Sequence, residues 1–226
     1  MIVPEQTVDS IRAIVTDKPE WYQLTESGAW SYIASTDKLA GTLQANFGWG
    51  EGRLVRKALE EAIRPKYLIE AEPEKPLIKA LTDLNKDIFI WSVGDERWQW
   101  HKIEKSGAGD YVKRDNWRVA RHMKEQTVKD YLLVNKDKKV LVIDDKEEMV
   151  NRIKIFEGVS GFQFDPGDPQ TSSQALFKKI EAVNPDAIFV DFDGVIHDTD
   201  ANLTQLGPEL IVAKHFPKTQ PSASNI

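Results

Sequence analysis

Asp191 and Asp193 stand two positions apart near the end of a 226-residue chain, followed by Gly194 and then by Asp198 and Thr199. Two carboxylates at this spacing, with a backbone carbonyl between them, suit a hard cation such as Mg2+, which takes oxygen ligands. One of the carboxylates is then free to attack an electrophile. The element that must present them is legible just upstream. Ala187, Ile188, Phe189 and Val190 form an uninterrupted apolar run, which suits a strand covered on both faces. Gly194 lets the chain turn where the strand stops. Asp191 and Asp193 therefore fall at the carboxyl end of a buried strand, the edge of an open α/β sheet where ligands gather.

Two further apolar runs end in polar residues. Ile88, Phe89, Ile90 and Trp91 lead into Ser92, Val93, Gly94 and Asp95, and Val140 to Ile143 lead into Asp144 and Asp145, with Glu147 and Glu148 close behind. Taken alone, a serine and a glycine after a strand make a turn, and so do paired aspartates. Helical patterns over 77–84, 98–105, 124–133, 146–156 and 174–183 separate these runs, with a short strand possible over 158–164 and a loop over 166–173. Strand alternating with helix predicts a Rossmann-like α/β fold, a parallel sheet with helices on both faces. Residues 5–64 carry only helical patterns, such as Val8, Ile11, Ile14 and Val15. Gly48, Gly50 and Gly52 are read as a turn, since no strand precedes them and no Gly-Lys-Ser/Thr follows.

Composition excludes several classes. The chain has no cysteine and four scattered histidines, which removes disulfides, thiol nucleophiles and zinc-thiolate sites. Net charge is −6, so no broad basic footprint for nucleic acid exists. No apolar run approaches the ~20 residues that span a bilayer, and the basic and apolar signature of an export signal is missing. A cytoplasmic location with no membrane partner is the expectation. An anionic substrate would need a local positive site, which a metal ion and one lysine can supply.

Asp191, Phe192, Asp193, Gly194, Val195 and Ile196, with Asp198 and Thr199 beyond, resemble the first motif of the haloacid dehalogenase (HAD) superfamily of phosphohydrolases. The strand ending in Ser92 resembles the second motif, and the strand ending in Asp144 and Asp145 resembles the fourth, an acidic metal motif. Lys124, at the start of a helical stretch, fits the lysine of the third motif better than Lys129, inside that helix, or Lys136, Lys138 and Lys139, in the turn before the next strand. The motif that normally opens the chain here comes last. The order two, three, four, one gives one complete set only if the domain is circularly permuted; a truncated tandem copy would leave the Asp191 strand without a place in the sheet. The resemblance implies a helical cap over 1–74, an α/β core over 75–206 with the catalytic strand last, and a polar tail over 207–226. Residues 200–215 are then expected beside the start of the cap. Trp21, Trp30 and Trp49 fall in the cap half, as core or as pocket lining.

The resemblance further implies a Mg2+-dependent phosphatase acting on a small phosphate monoester. Asp191 would be the nucleophile, Asp193 the general acid and base, and Ser92 and Lys124 the ligands of the phosphoryl oxygens. Asp191, the Asp193 carbonyl and Asp145 would hold the metal, with Asp144 as a close second ligand or an orienting group. In the family's dehalogenases the Asp193 position is not an aspartate, so phosphate chemistry is favoured. A phosphotransferase such as a sugar phosphomutase, or a silent binding or regulatory domain, could use the same core. His197 is read as a turn histidine, and Arg97, His101 and Lys102 as a solvated helix face.

Overall fold

The computed structural model describes residues 63–94 and 96–199. The cap expected over 1–74 lies almost wholly outside the described residues, as do segment 200–215, the tail over 207–226, and Trp21, Trp30 and Trp49. Arg64–Thr199 forms one compact unit, and it contains every residue of the expected site.

The fold of this unit is α/β. After a short antiparallel pair, β1 (Glu70–Glu72) and β2 (Lys75–Pro76), come α1 (Leu77–Thr82), β3 (Asp87–Val93), α2 (Glu96–Lys105), β4 (Trp117–Ala120), α3 (Glu125–Val134), β5 (Val140–Asp144), α4 (Glu147–Ile153), β6 (Val159–Gln163), α5 (Ser173–Val183) and β7 (Ala187–Asp191). The last five strands form one parallel sheet in the order β4-β3-β7-β5-β6. β7, the last strand among the described residues, is therefore the central strand, bonded to β3 on one side and β5 on the other.

The apolar runs explain that placement. Every residue of β5 and β7 is buried, as continuous hydrophobic strands of a doubly covered parallel sheet must be. Successive side chains alternate between two cores. Ile88, Ile90, Leu141, Ile143, Ile188 and Val190 share a core with α1, α2 and α5 through Leu77, Leu81, Ile103, Leu176 and Ile180. Phe89, Trp91, Val140, Val142, Ala187 and Phe189 face the other way, onto Val128 of α3 and Ile153 of α4. There Phe189 stacks on Phe89 at 4.6 Å and meets the edge of Tyr131 at 5.5 Å. Truncating so buried an aromatic to alanine costs about 3–5 kcal/mol. On the β6 side, Gly161 lets α4 lie close, since a Cβ there would come within 2.8 Å of Val150.

The segment that leads out of β7 is fixed by the one that opens the unit. Ile69 N donates to Ile196 O at 2.9 Å, Asp198 N donates to Tyr67 O at 2.8 Å, and Leu68 bridges His197 in antiparallel fashion. Residues 64–69 thus act as a strap across the Asp193 loop. Among the described residues no helix is long and apolar enough to cross a membrane.

Candidate active site

Register brings three polar strand ends to one edge. Trp91 pairs with Asp191, and Ile143 pairs with Val190. Ser92, Asp144 and Asp191 therefore emerge together where β3, β5 and β7 stop, although they come from widely separated parts of the sequence. Ser92 is buried, one residue beyond the partner of Asp191.

Lys124, the residue just before α3, sends its ammonium into this edge. Nζ lies 2.7 Å from Asp191 Oδ1 and 2.6 Å from Asp144 Oδ2, and all three side chains are no more than 6% exposed. Trp91 places the lysine: its Nε1 donates to Lys124 O at 2.8 Å and to Thr127 Oγ1 at 3.0 Å, and the Lys124 ammonium sits 4.3 Å from the centre of the Trp91 ring. This role for Trp91 was not legible in the sequence, where a tryptophan beside Ser92 reads equally as packing. Lys129, Lys136, Lys138 and Lys139 are exposed.

Asp145 completes an acidic trio. Oxygens of Asp144, Asp145 and Asp191 lie within 4.8 Å of one another. Asp144 is oriented by the Lys146 amide, which donates to Oδ1 at 2.9 Å. Asp145 Oδ1 is buried and accepts no hydrogen bond among the described residues, and a buried carboxylate oxygen without a donor is costly unless a cation meets it. Gly194 has φ +83° and packs against this carboxylate: a Cβ there would stand 2.8 Å from Asp145 Oδ2. Backbone and acid are thus held closer than any other residue type permits. Hard oxygen donors, one of them orphaned, fit a divalent cation such as Mg2+.

Asp193 stands apart from the trio. Its carboxylate, about a fifth exposed, takes the Lys102 ammonium at 2.6 Å on both oxygens and the Thr199 hydroxyl at 2.8 Å on Oδ1. The solvated face expected for Lys102 is corrected here, because its side chain is fully buried. Lys102 follows buried Trp98 by four positions on α2, and that spacing puts both on the core face. His197 closes the turn that begins at Phe192, its N donating to Phe192 O at 3.0 Å, and it is wholly buried there, stacked on Phe192, with Nε2 donating to Arg64 O at 3.0 Å and Nδ1 2.9 Å from Thr199 Oγ1. Because Arg64 O only accepts, Nε2 must carry the proton.

Burial sets the electrostatics. It pushes the Asp191 carboxyl well above the usual range; Lys124 opposes the shift, and Asp144, Asp145 and Asp193 add to it. Burial and then Asp144 raise Asp145 to about 6. Burial alone would lower the Lys124 ammonium, but Asp191 and Asp144 outweigh it and the net direction is upward. Burial also lowers His197, against the pull of the Arg64 carbonyl.

Fold and site together define an α/β protein with a buried, lysine-bridged acidic site at the carboxyl edge of a parallel sheet. No family model, curated protein or solved structure matches the chain.

Proposed function

We propose that the chain is a Mg2+-dependent phosphatase of small phosphate monoesters, a circularly permuted member of the HAD superfamily. The observation that carries this reading is the convergence of Asp191, Asp144, Asp145 and Lys124 at one sheet edge, within ion-pair or ligand distance of one another. These are the positions that the motif resemblance assigns to nucleophile, acidic metal motif and phosphate-binding lysine. The central place of β7 supports permutation over a truncated tandem copy, since the strand that carries Asp191 fills the middle of the sheet.

Asp191, Asp145, Asp144 and the Asp193 carbonyl would hold Mg2+, which when bound offsets the repulsion between a carboxylate and an anionic phosphate. The Asp191 carboxylate attacks phosphorus, the ester P–O bond breaks, and an aspartyl-phosphate forms. Asp193, on the more open side of the site, gives a proton to the departing oxygen. Lys124 and Ser92 meet the phosphoryl oxygens, where positive charge and a hydroxyl donor count most as charge shifts in the transition state. Water then attacks the same phosphorus while Asp193 takes its proton, freeing phosphate and restoring Asp191.

The test is phosphate release from a panel of phosphate monoesters with Mg2+, native protein against Asp191→Asn. Release that needs both the metal and Asp191 supports the reading. Transfer of the phosphoryl group to a second hydroxyl without free phosphate would make the protein a phosphotransferase, and Mg2+ binding with neither would make it a silent binding domain.

A further inference from the structure

Lys124 is gripped by charge in this structure, and that grip is what a bound cation would loosen. Asp191 and Asp144, the two carboxylates on its ammonium, belong to the oxygen set proposed for Mg2+. With Mg2+ on those oxygens their charge is shared between two cations, and the cations repel each other at close range. A lysine held by carboxylates alone would then be pushed off its place just when phosphate has to be met. Trp91 holds it by other means. Its ring centre lies 4.3 Å from the ammonium, and a ring face attracts a cation through its quadrupole, with no formal charge to share with a metal. Its Nε1 donates to Lys124 O at 2.8 Å, the same oxygen that takes the Thr127 hydroxyl at 2.8 Å and the Thr127 amide at 3.1 Å. Trp91 is itself fully buried and paired in register with Asp191, and its carbonyl accepts from Phe192 N at 3.0 Å. Backbone and ammonium of the lysine are thus both tied, through one side chain, to the strand pair that carries Asp191.

We propose that Trp91 is a positioning residue for Lys124: it keeps the ammonium in the site once a divalent cation has taken up the carboxylates, so that the lysine stays within reach of a phosphoryl oxygen. Here one N–H donor of the ammonium goes to each carboxylate, and the remaining one is the donor that a phosphoryl oxygen can take. This assignment rests on the phosphatase reading. It parts from a plain packing role in what it moves. Losing the ring and the indole N–H weakens the hold on phosphate, but it leaves the metal oxygens in place, because Asp191, Asp144 and Asp145 stand on β7 and at the end of β5 rather than on β3.

The experiment is calorimetry of inorganic phosphate binding to the Mg2+-loaded protein, with the Kd of Mg2+ measured alongside. Trp91→Met, an unbranched apolar chain with neither ring nor N–H donor, is expected to raise the phosphate Kd ~10-fold, while the Mg2+ Kd rises by less than about threefold. In a Lys124→Met background the same change should move the phosphate Kd by less than about threefold, because no ammonium is left to place. Trp91→Phe keeps a ring but not the N–H and should lie between native and Trp91→Met. It is the probe if the methionine variant does not fold, with phosphate bound at least about threefold more weakly than native and Mg2+ within that factor. Native phosphate affinity in the folded variant, an equal loss of phosphate and Mg2+ affinity, or an equal factor in both backgrounds overturns the assignment while the phosphatase reading stands. A native protein whose phosphate binding gains nothing from Mg2+ overturns both.

Discussion

Replacing Lys124 with methionine keeps most of the side chain's stem and removes the charge that lies between Asp191 and Asp144. Those carboxylates are 6% and 0% exposed, so water cannot take the place of the ammonium. Breaking a buried pair by removing one partner costs about 3–5 kcal/mol. For a chain of 226 residues, each kcal/mol moves Tm by ~2–4 °C. Thermal unfolding of Lys124→Met at about pH 8, with divalent cations removed, should therefore show a Tm roughly 6–20 °C below native. Two dependences identify the cause. Lowering the pH protonates the stranded carboxylates, so the gap between variant and native narrows. Saturating Mg2+ restores a counter-charge; at a hundred times its Kd a ligand adds ~2.7 kcal/mol, and the gain should be larger in the variant, where no ammonium competes. A variant that melts within about 2 °C of native without cations, or that gains no more from Mg2+ than native does, would refute the reasoning.

Other consequences follow from single groups. Asp145 is raised to about 6 from 3.8, so its proton favours the folded state: this contribution is present below 3.8 and lost as pH rises through 6, on the order of 1–3 kcal/mol after discounting for its partial exposure. A cation must displace that proton, and Mg2+ affinity by calorimetry should fall at least tenfold per pH unit below 6, with Asp145→Asn making the dependence shallower and leaving the part that belongs to the raised Asp191 carboxyl. Gly194→Ala forces an L-residue into φ +83° and a Cβ onto Asp145; Tm should fall by a few degrees for the ~1–2 kcal/mol of backbone strain, and calorimetry should show weaker Mg2+ binding. His197 is lowered from 6.5 by burial, so the unfolded chain binds its proton more readily and stability drops as pH falls below 6.5. His197→Gln should flatten that acid limb in urea unfolding.

The chemistry-bearing strands were legible because burial on both faces leaves a plain signature: β5 and β7 are unbroken apolar runs ending in aspartate. Helices 1 to 5 were legible from their spacing. β4 was not, because Trp117–Ala120 is an edge strand with one buried residue and three half-buried ones, and such a strand shows neither a run nor a clear alternation. The pair β1 and β2 is too short to carry a period at all. Within the site, the aspartates could be picked out by their place after strands, and Lys124 by its place before a helix. Lys102 and His197 could not, because their burial depends on partners far away in sequence: Asp193 lies 91 positions from Lys102, and Arg64 lies 133 from His197. Charged and polar residues are mostly exposed, and only tertiary pairing reverses that expectation.

The most direct test of the account is to trap the phosphoenzyme. The protein is incubated with Mg2+ and a phosphate monoester, quenched in acid and digested, and the peptide carrying Asp191 is weighed by mass spectrometry. A phosphate adduct on Asp191 that disappears with a chelator and in Asp191→Asn is the result predicted. Phosphate release undiminished in Asp191→Asn, or an adduct on any other residue, would contradict it.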